Sequence, residues 1–101
     1  MRLIVFFDLP VETAAERRAY SKFRKFLIKN GFYMMQKSVY CKMVLNQSNA
    51  VACRQHLKLN RPPDGIVQVL TITEKQFVRI EYISGVDTSD VLSDTRTTII
   101  L

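Results

Sequence analysis

Long hydrophobic runs are missing from this chain of 101 residues. The longest apolar stretches, such as residues 3–7, fall far short of the roughly 18 residues that suggest a membrane span. Asp8 closes that first run, and no small-residue cleavage site follows. A secretory signal and a membrane partner are therefore not expected. Cysteine is scarce. Cys41 and Cys53 form neither a CxxC pair nor a disulfide framework, so both are expected to be reduced, in a cytoplasmic protein. The single histidine, His56, comes without the ligand spacing of a zinc site. One histidine leaves a Ser-His-Asp triad open, but nothing places its parts together. P-loop, GxGxxG and GxSxG patterns are absent, as are internal repeats and low-complexity stretches.

What is present is an ordinary globular balance, 48% hydrophobic and 24% charged, which argues against a disordered chain. The length fits one domain with a single core. Charge is more informative. Fifteen Lys and Arg stand against nine Asp and Glu, net +6. Residues 1–61 hold twelve basic and three acidic side chains, whereas residues 62–101 hold three basic and six acidic. A basic body with a mildly acidic end suggests a polyanionic partner for the first part, nucleic acid above all.

The hydrophobic pattern gives an order of elements. Residues 2–8 read as a strand buried on both faces, ended by Leu9-Pro10. Thr13 and Glu16 form a capping box ahead of a helix over 14–29. Ala15, Ala19, Phe23, Phe26 and Leu27 make its buried face, and Asn30-Gly31 stops it. Strands follow over 32–36 and 38–45, the latter with Val39, Cys41, Met43 and Leu45 on one face. No Asn-Gly or Asp-Gly pair marks the turn between them, and a bulge near Gln36-Lys37 is expected. A second helix runs over 49–59, with Val51, Ala52, Leu57 and Cys53 as inward positions. Arg61-Pro62-Pro63-Asp64-Gly65 turns the chain into a strand over 66–73. Thr73 to Gln76 repeat the capping-box pattern and suggest one helical turn. Residues 78–83 read as a fifth strand, 84–94 as a polar loop and 96–101 as another strand-like segment.

This order, βαββαβ with an extra C-terminal strand, is the α+β ferredoxin-like arrangement, an antiparallel sheet with both helices on one face. Residues 1–83 form the domain, and 84–101 the loop and terminal strand used for contacts. The second face of the sheet would be left open, and two such faces stacking would bury it. A symmetric homodimer through sheet faces is therefore expected. The segment Arg96, Thr97, Thr98, Ile99, Ile100 and Leu101 is the candidate to pair with an edge on a second subunit or another protein.

Two features could carry chemistry. Asp8 sits where a buried strand meets its loop. A lone carboxylate is a poor cation site, but two copies across a symmetry axis could share one ion. The plainer role is capping of the loop. On the first helix, Arg18, Lys22, Lys25 and Lys29 follow an i, i+4, i+7, i+11 pattern and form one stripe, flanked by Arg17 and Arg24. No acidic residue interrupts residues 17–29, which favours phosphate binding over a merely solvated face. Lys37 and Lys42, with Arg54, Lys58 and Arg61, widen the basic surface. Phe7, Phe32, Tyr33 and Tyr40 could stack on bases, although core or dimer packing suits most of them better. Tyr20, His56 and Cys53 read as helix-packing residues.

These residues also carry a resemblance. The opening Ile-Val-Phe-Phe-Asp-Leu-Pro at 4–10 and Glu-Arg-Arg-Ala-Tyr-Ser-Lys-Phe-Arg-Lys-Phe-Leu at 16–27 resemble the small CRISPR-associated adaptation protein of the Cas-two family, in its type II branch. So do Gly-Phe at 31–32, Gln-Lys-Ser-Val-Tyr at 36–40 and Leu-Thr-Ile-Thr-Glu-Lys-Gln-Phe at 70–77. The resemblance implies a ferredoxin-like homodimer whose Asp8 binds magnesium across the dimer axis. It also implies partnership with a CRISPR-associated integrase subunit, two dimers of which flank this one. Together they capture double-stranded DNA and insert it into the CRISPR array, with this protein as spacer and backbone clamp. The alternative it implies is a magnesium-dependent endonuclease acting on RNA or DNA, with Asp8 as catalytic residue.

Overall fold

The first apolar run becomes the centre of a sheet. In the computed structural model, which describes residues 1–86, β1 (Arg2–Asp8) lies between β3 (Val39–Met43) and β4 (Ile66–Ile72), with β2 (Tyr33–Gln36) outside β3. The order is β2-β3-β1-β4 and every neighbouring pair is antiparallel. β1 and β2 therefore run the same way with β3 inserted between them. Helix α1 (Ala14–Lys29) makes the crossover, α2 (Gln47–Leu59) joins β3 to β4, and the short α3 (Glu74–Phe77) follows β4. No described helix is long and apolar enough to cross a membrane.

Local chemistry accounts for the helix bounds. Thr13 accepts from the Glu16 amide at 3.1 Å, and the Glu16 carboxylate accepts from the Thr13 amide at 2.9 Å, a complete capping box. Thr73 and Gln76 repeat it at α3. α2 starts earlier than the pattern predicts because Asn46 is its cap, accepting from the Asn49 amide at 2.9 Å. Its core positions are Ala50 and Leu57, while Val51 and Ala52 face outward. On α1, Phe23 and Leu27 enter the core and Ala15 is exposed.

Period-two alternation divides the strands between two faces. Leu3, Val5 and Phe7 of β1 join Tyr40, Val44, Phe23, Leu27, Ala50 and Leu57 in one core under α1 and α2. In β3, Val39, Cys41 and Met43 share one face as expected, and pairing with β1 decides which way that face points. Tyr40 stands opposite Val5, and residues opposite each other in a ladder point the same way. Tyr40 and Val44 therefore face the helices, Cys41 is buried on the far side, and Leu45 is exposed. β1 is buried on both faces only in its first half, since Phe6 and Asp8 are exposed.

The unmarked turn is a two-residue one at Lys37-Ser38, because Gln36 pairs with Val39. Ser38, its second central residue, takes a left-handed φ of 66°. It is held there by the Phe7 amide, which donates to its carbonyl at 3.0 Å. The register shift falls between Met34 and Gln36, slightly ahead of the expected bulge. The fifth strand expected over 78–83 does not form among the described residues. A strand needs a ladder partner for its backbone, and none pairs with this segment among the described residues. The strand-like segment 96–101 lies outside the described residues.

Candidate nucleic-acid interface and strand-end carboxylate

The core positions Phe23 and Leu27 orient α1 and thereby turn its basic stripe to solvent. Arg18, Lys22 and Lys25 line an open groove with Ala14 and Ser21. Lys29 is exposed in the last turn, where a cation also suits the helix dipole. The two flanking arginines are braced. Arg17 donates to the carbonyls of Val11 and Glu12 at 3.1 and 2.9 Å, tying the β1–α1 loop to the helix. Arg24 Nε donates to the Tyr40 hydroxyl at 2.9 Å. Lys37 is exposed at the hairpin tip. Lys42 is set apart from the stripe: it is half-buried, 5.8 Å from the Phe32 ring centroid, on the side of the core shared with α2. Of the further basic residues, Arg54 donates to Thr71 Oγ1 at 2.9 Å and Arg61 to the Lys58 carbonyl at 3.1 Å.

Asp8 is the last residue of β1, opposite Ile66 and exposed. Gly65 packs on its backbone: a Cβ there would meet the Asp8 carbonyl oxygen at 2.6 Å. The Asp8 carboxylate has no hydrogen bond or ion pair among the described residues, so it does not cap its loop. Nor do three His, Cys, Asp or Glu residues gather into a metal cluster among them. A carboxylate is the right donor type for magnesium, but one per chain is too few. The described residues of one chain do not make that site.

The aromatic candidates separate cleanly. Phe7, Phe32 and Tyr40 are buried, and Phe7 packs on Tyr40, Phe23 and Tyr20 with centroids 5.3–5.8 Å apart. Tyr33 is exposed at the sheet edge and accepts from Arg2 Nη1 at 2.8 Å.

Arg2 is the residue that sequence reasoning missed. It opens β1 on the face away from the main helices. Its Nε donates to both Glu74 carboxylate oxygens at 3.0 and 3.2 Å, and its guanidinium lies 3.9 Å from the Phe77 ring centroid. The N-terminal ammonium adds an ion pair to Glu74 at 3.7 Å. This hydrogen bond from Arg2 holds the Glu74 carboxyl below the usual carboxylate range. α3 is thereby pinned across one end of the second sheet face. On that face Ile4 and Cys41 are buried, while Phe6 36%, Met43 57%, Ile66 60% and Leu70 49% are exposed. The only signal in the sequence was the capping box that placed Glu74 at the head of a helix.

The comparisons with known proteins agree with this architecture. The family described as CRISPR associated protein Cas2 matches residues 1–80. A curated relative from Treponema denticola, named CRISPR-associated endoribonuclease Cas2, is 50% identical over 101 residues, covering all of both chains. A relative of the same name from Streptococcus mutans is 53% identical over 97 residues, 95% of this chain and 89% of its own. A crystal structure of Streptococcus pyogenes Cas2 at pH 6.5 superposes with a TM-score of 0.63 at 20% identity, covering 83% of this chain and 100% of that one. At that identity it speaks for the fold. The family match over most of the chain and the identity to full-length relatives settle the assignment: the chain belongs to the CRISPR associated protein Cas2 family.

Proposed function

We propose that this protein serves CRISPR adaptation as a dimeric scaffold that binds double-stranded DNA and bridges integrase dimers. The observation that carries the proposal is the outward stripe of Arg18, Lys22, Lys25 and Lys29, with no acidic residue in α1 after Glu16. Cations on a helix face contact phosphates, not base edges, and so hold DNA of any sequence. The exposed Phe6, Met43, Ile66 and Leu70 on the sheet face away from the main helices support a ferredoxin-like homodimer, since apolar side chains left in water on a sheet face favour a partner. In this reading the segment from Arg96 to Leu101 supplies contacts to the partner subunit or the integrase.

The test is DNA binding and integration by the Arg18→Glu/Lys22→Glu variant. Loss of affinity from an intact dimer is expected, as is a salt dependence shallower by about two in its log–log slope, one unit per phosphate contact removed. Unchanged affinity removes the scaffold reading. The unpaired Asp8 carboxylate favours a second reading, an endonuclease, which is also the name its curated relatives carry. Magnesium in that reading needs a further carboxylate from a second copy. Asp8→Ala separates the two: persistent integration leaves the scaffold, and loss from an intact dimer brings the nuclease forward.

A further inference from the structure

Between α1 and α2, beside the exposed stripe but sharing none of its residues, a cleft of about 380 Å³ opens. That size lies within the roughly 300–1,000 Å³ of small-molecule sites. One wall is aromatic: the half-buried Phe26 meets the His56 ring edge-on, with centroids 5.0 Å apart. The amide side chains of Asn30 and Asn49 line the cleft, as does the half-buried Cys53. Lys42 enters from β3. Its ammonium has no ion pair or hydrogen bond among the described residues.

The charge around the cleft is of one sign. The chain holds no Asp or Glu at any position from 17 to 63, and every lining residue falls within that stretch. Lys42 brings an ammonium to this lining and no carboxylate lines the cleft with it, so an anion is what it would pair with. Cys53 reports the same field: burial pushes its thiol up, while Lys42 and Arg54 pull it down. The ligand must therefore be anionic. It must also carry a flat body, because a bare inorganic anion would leave the Phe26–His56 wall and the apolar floor unused.

We propose that this cleft binds a nucleoside 5′-phosphate, with the phosphate on Lys42 and the base against Phe26 and His56. Aromatic side chains accept any base, since every base has a π-face. The two amides provide hydrogen-bonding groups for sugar or base edge. The same chemistry has two sources, a free mononucleotide or the 5′-phosphorylated end of a strand. The site is separate from the α1 stripe proposed for duplex DNA, so its test is independent of that reading.

The experiment is a titration of the full chain with AMP and with CMP, followed by amide NMR shifts. Saturable shifts at Lys42, Ala52 and His56 are expected. Adenosine and inorganic phosphate should each bind at least about tenfold more weakly, the scale of one charge-assisted hydrogen bond or one stacked base. Lys42→Met keeps the apolar stem and should lose the binding. His56→Ala changes only an exposed residue and should weaken it. No saturable shift, shifts confined to Arg18, Lys22 and Lys25, equal binding of inorganic phosphate, or wild-type binding by both variants would each overturn the proposal. Tighter binding of a 5′-phosphorylated oligonucleotide than of its 5′-hydroxyl twin, with shifts at the same amides, assigns the site to strand ends. Equal binding of the two, with AMP still saturating, assigns it to free nucleotides.

Discussion

The two faces of this sheet are made from the same strands and have opposite fates. On the helix-covered face, Leu3 and Val5 are fully buried and Phe7 nearly so. On the other, Phe6, Met43, Ile66 and Leu70 are exposed, and α3 covers only the end held by Arg2. Single exposed apolar residues are ordinary; these four share one face with the buried Ile4, which stands opposite Leu70, and with the charged Asp8 and Arg2, opposite Ile66 and Met43. The covered face holds the single chain together. The second face mixes Arg2, Asp8 and Gln68 with the exposed Phe6, Met43, Ile66 and Leu70, which the described residues leave in water, and this is the physical motive for a second copy.

Substitutions can break that comparison. Leu3→Ala should cost about 2–5 kcal/mol of unfolding free energy, the usual range for a fully buried leucine. Leu70→Ala in dilute, monomeric protein should cost less than about 1 kcal/mol, because half of its side chain is already in water. Urea unfolding of both measures the contrast, and equal costs would show that the open face is covered within one chain. At concentrations where dimers form, Leu70→Glu should return the protein to a monomer by sedimentation without melting its helices.

The loop that carries Asp8 permits a sharper test. Gly65 has a φ of 91°, and a Cβ there would meet the Asp8 carbonyl oxygen at 2.6 Å and Leu9 Cδ2 at 2.7 Å. Gly65→Ala should therefore cost about 1–3 kcal/mol through strain. It should also move the amide signals of Asp8 and Leu9 more than those of α1. A cost below the uncertainty of unfolding data would mean that this strand end is free to shift.

The smallest expected effect lies at α3. The folded Glu74 carboxyl sits below its ordinary value of about 4.3. Its contribution is thus complete above that value and is lost as pH falls through the lowered folded one. The pair is partly exposed, so the effect is modest. Melting curves should lose stability in acid more steeply for wild type than for Glu74→Gln. Identical acid limbs would show that Arg2 and Glu74 do not hold α3.

Much of the fold was legible because it is local. The bounds of β1 and α1, and both threonine capping boxes, follow from residues within a few positions of one another. So does the basic stripe, since helical spacing alone puts Arg18, Lys22, Lys25 and Lys29 on one side. The inward face of β3 was not legible. Val39, Tyr40, Cys41 and Met43 are apolar on both sides of the strand, and only pairing with β1 chooses between them. The segment 78–83 has strand-like residues, but strand formation needs a neighbour that the described residues do not provide. Lys42 looked like one more surface cation until the packing of α2 placed it in a cleft.

By itself, then, the sequence determined what depends on period, capping and the segregation of charge: two long helices, four strands in order, and a long stretch without acidic residues. Tertiary structure decided which face of each strand became core and left Asp8 beside Gly65 without a partner among the described residues. It also joined Arg2 to Glu74 across 72 positions. The reason is range. Helical spacing and caps act over three or four residues, whereas register and inter-element contact are settled only when distant segments meet.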